Sequence, residues 1–228
     1  MDAYRRPVIE VLGVPLADAP GAVGSEAGGG VDAVPYGRRW AGGSPPEEAY
    51  SRTEQPERFA PLHEVARALV DWLVGAFELT VESGPDVVVD LLLPAPSEVV
   101  HAVRVTPVDR RCAPMTVVLT PFPGVMLHAG ALQDFAWPFC GCDACDDDVL
   151  DLVTDLEWVM RTVVSGGFHE WLDAPAPPAR SHPADRALTR DGNRGIVVEY
   201  RLDDPGVASR SARTPAAEFP DARLAAAR

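Results

Sequence analysis

Cys140, Cys142 and Cys145 fall within six positions of a 228-residue chain that holds four cysteines. Thiols this close can bind a soft metal together, form a disulfide, or pack without reacting. Cys142-x-x-Cys145 has the spacing of a zinc knuckle, in which two thiolates turn onto one ion. Cys140 stands two residues earlier, and an extended strand would send its side chain to the face opposite Cys142. Gly141 can adopt the positive φ that returns both to one side. Three thiolates are one ligand short of a closed structural site. His128 is the first choice for the fourth, because its hairpin leads directly into the cysteine loop. Cys112 is the second, and His169 or a water would also serve. The metal set read from the sequence is therefore Cys140, Cys142, Cys145 and His128, with zinc as the cofactor.

Two other chemistries stay open. A Cys-x-x-Cys pair at the mouth of a helix can have a depressed thiol pKa, which would make Cys142 and Cys145 a redox pair. Against this, Asp146, Asp147 and Asp148 crowd the same helix start, where negative charge opposes thiolate formation. The preceding segments also read as antiparallel hairpins rather than the βαβ pattern of thioredoxin-like sites. Alternatively the cysteines pack as small hydrophobes in a loop partly buried by Phe135, Trp137, Pro138 and Phe139. No phosphate-binding glycine loop, nucleophile elbow or metalloprotease helix is present.

Hydrophobic residues make up 46% of the chain, enough for a substantial core. The formal net charge of −14 argues against a broad grip on nucleic acid or an anionic membrane. All 20 Lys and Arg residues are arginine, which points to a GC-rich genome. The N-terminus lacks the apolar run of a signal peptide, and no apolar stretch is long enough to span a bilayer. The cytoplasm is the expected compartment. Thiols there stay reduced, which favours metal binding or catalysis over a structural disulfide.

The elements that must position the cysteines can be read in order. Pro7 to Leu12 reads as a short strand, Gly13 to Asp32 as a flexible insertion, and Val34 to Trp40 as a second strand. Phe59, Leu62, Ala66, Leu69, Val70, Leu73 and Phe77 recur at helical spacing and place a helix over Ala60 to Phe77, with Pro61 in its first turn. Leu79–Glu82, Val99–Thr106, Met115–Pro121 and Val125–Ala129 favour strands, and Val87 to Leu93 is either a strand or an irregular excursion. Val149, Leu152, Val153, Leu156, Val159, Met160 and Val163 mark a second helix that ends at Gly166-Gly167. Asp146 to Asp148 suit its first turn through the helix dipole. His63 reads as a boundary residue and His169 as a surface or capping residue. Asp203-Asp-Pro-Gly206 joins two further strands, Ile196–Leu202 and Val207–Ser211, and Asp221 to Arg228 can form a short helix.

The segments Pro46-Glu-Glu-Ala-Tyr-Ser-Arg52, Pro56-Glu-Arg-Phe-Ala-Pro-Leu-His63, Phe122-Pro-Gly124 and Phe139-Cys-Gly-Cys-Asp-Ala-Cys-Asp146 resemble a family of uncharacterised actinobacterial proteins, a domain of unknown function. The likeness runs from about Tyr36 to the C-terminus. It implies a bacterial, cytoplasmic, single-domain protein and carries no activity, so no catalytic residue transfers.

The expectation is an α+β domain, with an antiparallel sheet of several strands and two main helices on one face. Residues 1–35 form a terminal strand and insertion, 36–172 the main domain, 173–192 a Pro/Ala-rich linker and 193–228 a hairpin and short helix packing on that domain. Function is read as a binding or interaction protein with a metal-stabilised three-cysteine loop. The alternatives are a thiol-dependent redox enzyme using Cys142 and Cys145, or an immunity or regulatory protein with packed cysteines. The partner would be another protein, without nucleic acid or membrane.

Overall fold

Two apolar helical stripes and a β-rich stretch between them need a common surface to bury, and the computed structural model supplies it as a helix layer on one face of an antiparallel sheet. The structure describes residues 4–11, 14–15, 36–40, 42–173, 197–204 and 207–215. A two-residue strand β1 (Glu10–Val11) pairs with β2 (Val14–Pro15). Helix α1 (Pro61–Ala76) leads into β3 (Leu79–Ser83). The strands β4 (His101–Pro107), β5 (Met115–Leu119), β6 (Val125–Ala129) and β7 (Gln133–Trp137) follow, and the five pair in sequence order. Helix α2 (Val149–Val164) comes next. Last come β8 (Phe168–Asp173), β9 (Val197–Asp204) and β10 (Val207–Pro215), a three-stranded sheet in the order β10-β9-β8.

Alternation along each strand decides which face meets the helices. Val103, Val105, Met115, Val117, Leu119, Val125, Leu127, Phe135 and Trp137 join Leu62, Leu69, Leu73, Val153, Leu156 and Met160 in one buried cluster. Leu202 belongs to the same cluster, so β9 adds to this core rather than building its own. The Trp137 indole N–H donates to Asp155 at 2.7 Å and ties the last strand of the large sheet to α2. The N-terminal segment is clamped to the same helix, where Arg6 grips Glu157 through Nε at 2.9 Å and Nη2 at 2.6 Å, and buried Ile9 joins the core.

The opposite face of the large sheet is only partly apolar. Val87, Ala102 and Val118 form a small buried cluster beneath a 3-10 segment, Pro85–Asp90. Next to it runs a row of polar side chains at one register level. Glu82 pairs with Arg104, Arg104 with Thr116, Thr116 with His128, and His128 with Asp134.

Several expectations need correction. Of the proposed strand Val34–Trp40, residues 36–40 form turns, because Gly37 takes a φ of +89° and the chain bends toward the cysteine loop. The strand expected over Pro7–Leu12 shrinks to two residues. Val87 to Leu93 is the irregular excursion rather than a strand. The segment around His169, read as a surface or capping residue after the second helix, is strand β8 paired with β9, and β7 was not anticipated. Of the proposed linker 173–192, Asp173 belongs to β8 and the rest lies outside the described residues, as do the helix Asp221–Arg228 and most of the insertion Gly13–Asp32.

Leu156 is fully buried among both layers. Replacing it with alanine removes those contacts and leaves a cavity, so a loss of roughly 2–5 kcal/mol is expected. A urea titration checks this, and an unshifted midpoint would show that the helix stripe does not face the core.

Candidate functional site

The loop carrying the cysteines begins at a cis Trp137–Pro138 peptide bond after β7 and ends at the N-cap of α2. Gly141 takes a φ of +77°, the conformation needed to put Cys140 and Cys142 on one side. A side chain there would be strained at that φ and would force the Phe122 ring to shift, since a Cβ would stand 2.6 Å from its Cζ. Cys142, Asp143, Ala144 and Cys145 then turn through a short 3-10 helix, closed by Cys145 N–H donating to the Cys142 carbonyl at 3.1 Å.

These turns bring the sulfurs of Cys140, Cys142 and Cys145 within 4.8 Å of one another. Sγ of Cys142 and Sγ of Cys145 are 3.5 Å apart. A disulfide would need about 2.05 Å, whereas thiolates on one tetrahedral ion with bonds of about 2.3 Å stand roughly 3.8 Å apart. Cys142 is buried while Cys140 and Cys145 are exposed. Hydrogen bonding from Cys140, helped by the Cys145 and Ala144 amides, holds the Cys142 thiol below its ordinary pKa. Cys145 is pushed up to about 12, first by desolvation and then by its two neighbouring sulfurs. The cluster thus favours one thiolate, Cys142, and resists a second unless a cation enters.

The sequence reading missed what holds this loop in place. Asp143 is fully buried and accepts from Arg52 Nε at 2.8 Å and from the Glu54 amide at 2.9 Å. Its carbonyl accepts from Arg39 Nη2 at 2.7 Å and from the Trp40 indole at 3.3 Å. Asp146, in the left-handed region at φ +53°, takes the Arg39 amide at 2.8 Å and Arg39 Nε at 2.6 Å. Arg39 and Arg58 stack against the Tyr36 ring at 3.9 and 3.8 Å from its centroid, close enough that they must occupy opposite faces. Only Asp148 does what the helix dipole argument assigned to the acidic run: its Oδ1 caps α2 by accepting from Leu150 N at 2.7 Å and Asp151 N at 3.3 Å. Asp147 is half-buried, and that burial raises its carboxyl pKa against the opposing charge of Arg58. The signal lay in the complementary charge of two distant segments, arginines over 39–58 and aspartates over 143–148.

His128 is not among the donors that converge with the cysteines. It is buried on the polar face of β6, where Nδ1 meets Asp134 Oδ1 at 2.6 Å. Asp134 also accepts the amides of Leu92 and Leu93 at 2.6 and 2.7 Å. Asp90 joins this polar row from above, bonding Arg104 through both oxygens and accepting from Thr116 at 2.5 Å. The row fastens the 85–93 segment over the sheet. Cys112 is exposed in the loop before β5 and His169 lies on β8; both line a separate cavity of about 580 Å³ that includes no residue of the cysteine loop. His63 Nε2 donates to the Gly124 carbonyl at 3.0 Å, and burial lowers its pKa.

Fold and site together define an α+β protein with a three-cysteine cluster able to hold a metal ion. The chain belongs to the family of unknown function DUF6226, whose model matches residues 26–228. Neither a curated protein nor a solved structure matches it. Among the described residues, no helix is long and apolar enough to cross a membrane.

Replacing Asp143 with alanine leaves the Glu54 amide and Arg52 without this acceptor, and a loss of roughly 1–3 kcal/mol is expected at neutral pH. Burial pushes the Asp143 carboxyl up, but the Glu54 amide and Arg52 outweigh it, so its folded pKa lies below the ordinary value. Its stabilisation is therefore complete above about pH 4 and is lost as pH falls through the folded value. Urea unfolding of both proteins across this range should show the gap closing in acid. A gap that is constant with pH would mean the carboxylate charge contributes nothing.

Proposed function

We propose that this is a cytoplasmic binding protein whose Cys140–Cys145 loop is locked by a thiolate-bound metal, zinc by its donor chemistry, and presents a surface to a protein partner. The observation that carries this reading is the convergence of three sulfurs within 4.8 Å on a loop whose glycine, cap and ion pairs all favour that one conformation. Sulfur donors select zinc or another soft ion over magnesium and calcium. Of the neighbouring carboxylates, Asp143, Asp146 and Asp148 are engaged by arginines and amides, and Asp147 does not converge with the sulfurs. Exposed Phe139 beside the cluster supports a partner surface there.

A second reading, dithiol redox chemistry, is favoured by the 3.5 Å approach of Cys142 to Cys145 and by the depressed Cys142 thiol. The two readings separate in one experiment. Protein purified anaerobically without a tag should carry one equivalent of zinc by elemental analysis, and a strong chelator should lower its melting temperature because metal binding is coupled to folding. Cys142→Ser should lose most of the metal. Metal-free protein that forms a Cys142–Cys145 disulfide under mild oxidation would replace the metal reading with the redox one.

A further inference from the structure

Resting on the metal reading, we propose that the ion held by Cys140, Cys142 and Cys145 keeps one coordination position facing outward, and that a histidine imidazole of a partner protein fills it. A tetrahedral ion bound by three protein ligands retains a fourth, exchangeable position, the arrangement of open rather than closed zinc sites. Among the described residues no fourth His, Cys, Asp or Glu atom converges with the three sulfurs.

Of the nearest carboxylates by sequence, Asp147 has a buried Oδ2 without a hydrogen bond but does not converge with the sulfurs, and the other three are committed elsewhere. Both Asp143 oxygens are bonded, one to Arg52 and one to the Glu54 amide, and both Asp146 oxygens to Arg39. Asp148 Oδ1 caps α2. Releasing any of them would break a buried ion pair or a helix cap.

Exposure sets the direction of the open position. Cys142 lies inside, packed with Ala49, Ala144 and Trp40. Cys140 and Cys145 are exposed, so an ion on the three sulfurs has protein behind it and solvent before it. Phe139, 84% exposed, adjoins Cys140 in the chain, and Phe122, 38% exposed, lies directly against Gly141. An aromatic rim beside an open ligand position suits a protein surface better than water alone.

Charge selects imidazole as the donor. Three thiolates on a divalent zinc ion leave a net charge of −1, on a chain whose formal charge is −14. A fourth thiolate or a carboxylate would add negative charge to that site, whereas a neutral imidazole nitrogen donates its electron pair and displaces water without adding any.

The test loads the full chain anaerobically with Co(II), whose ligand-field bands report coordination number and donor type, and titrates it with free imidazole. Saturable movement of the ligand-field bands is expected while the thiolate charge-transfer bands persist. Cys140→Ser, which removes one sulfur, should weaken those charge-transfer bands, confirming that the responding ion sits on the cluster. His182→Ala, which removes a histidine outside the described residues, should respond to imidazole as the unmodified chain does. An unmodified chain blind to imidazole overturns the proposal. So does one that becomes responsive only in His182→Ala, since the fourth donor then comes from the chain itself. Failure to take up Co(II) at all defeats the metal reading instead, and is told apart by the missing charge-transfer bands.

Discussion

Asp143 is fully buried, and the shape of the cysteine loop follows from where its partners lie. A buried carboxylate left unpaired would cost several kcal/mol, so the chain must bring donors to it. They come from Arg52 and the Glu54 amide, with Arg39 pairing at 3.9 Å, about a hundred residues earlier in the chain. The same segment supplies Arg39 to Asp146, which lets a non-glycine residue sit in the left-handed region where the loop reverses. Two stretches with little regular structure thereby hold each other. Cys142 and Cys145 flank buried Asp143 on the turn so created, with Asp146 next in the chain, and the convergence of the cysteines is a consequence of that scaffold rather than of sulfur chemistry alone.

The large sheet divides its two faces between different tasks. One face supplies the apolar core against α1 and α2, and its stability comes from burial. The other carries the polar row from Glu82 through Arg104, Thr116 and His128 to Asp134, with Asp90 and the Leu92 and Leu93 amides completing its bonds. Such a row is expensive unless every member is satisfied, and here the 85–93 segment satisfies it. That explains why this segment, despite its Val87-Val-Val89 run, is a strap over the sheet instead of a sixth strand. His128 is committed to this strap, which is why it does not reach the cysteines.

Local pattern carried much of the fold. The stripes of α1 and α2, the hairpin turn at Phe122-Pro-Gly124 and the antiparallel pairing of β9 with β10 depend on residues close in sequence, and they appear close to where periodicity and turn chemistry placed them. Gly141 was legible for the same reason, since only one conformation joins Cys140 to Cys142. Strands β7 and β8 were not. Gln133-Asp-Phe-Ala-Trp137 and Phe168-His-Glu-Trp-Leu-Asp173 alternate weakly, and their state is decided by pairing with β6 and β9. The arginine–aspartate scaffold was invisible because it links segments by geometry that no short window contains. Asp146 to Asp148 looked like one helix-dipole feature and proved to be three residues with three different partners.

The central claim is that this scaffold positions the sulfurs for metal. Ligand-orienting groups of this kind commonly contribute about 10- to 100-fold to metal affinity. The most direct measurement is zinc affinity, by competition with a chromophoric chelator, in Arg39→Gln against the unmodified chain, both confirmed folded by circular dichroism. The account predicts an unchanged stoichiometry of one and an affinity weakened by about 10- to 100-fold. Equal affinities in the two proteins would contradict it, and would mean that the three cysteines find their ion without the arginine–aspartate scaffold.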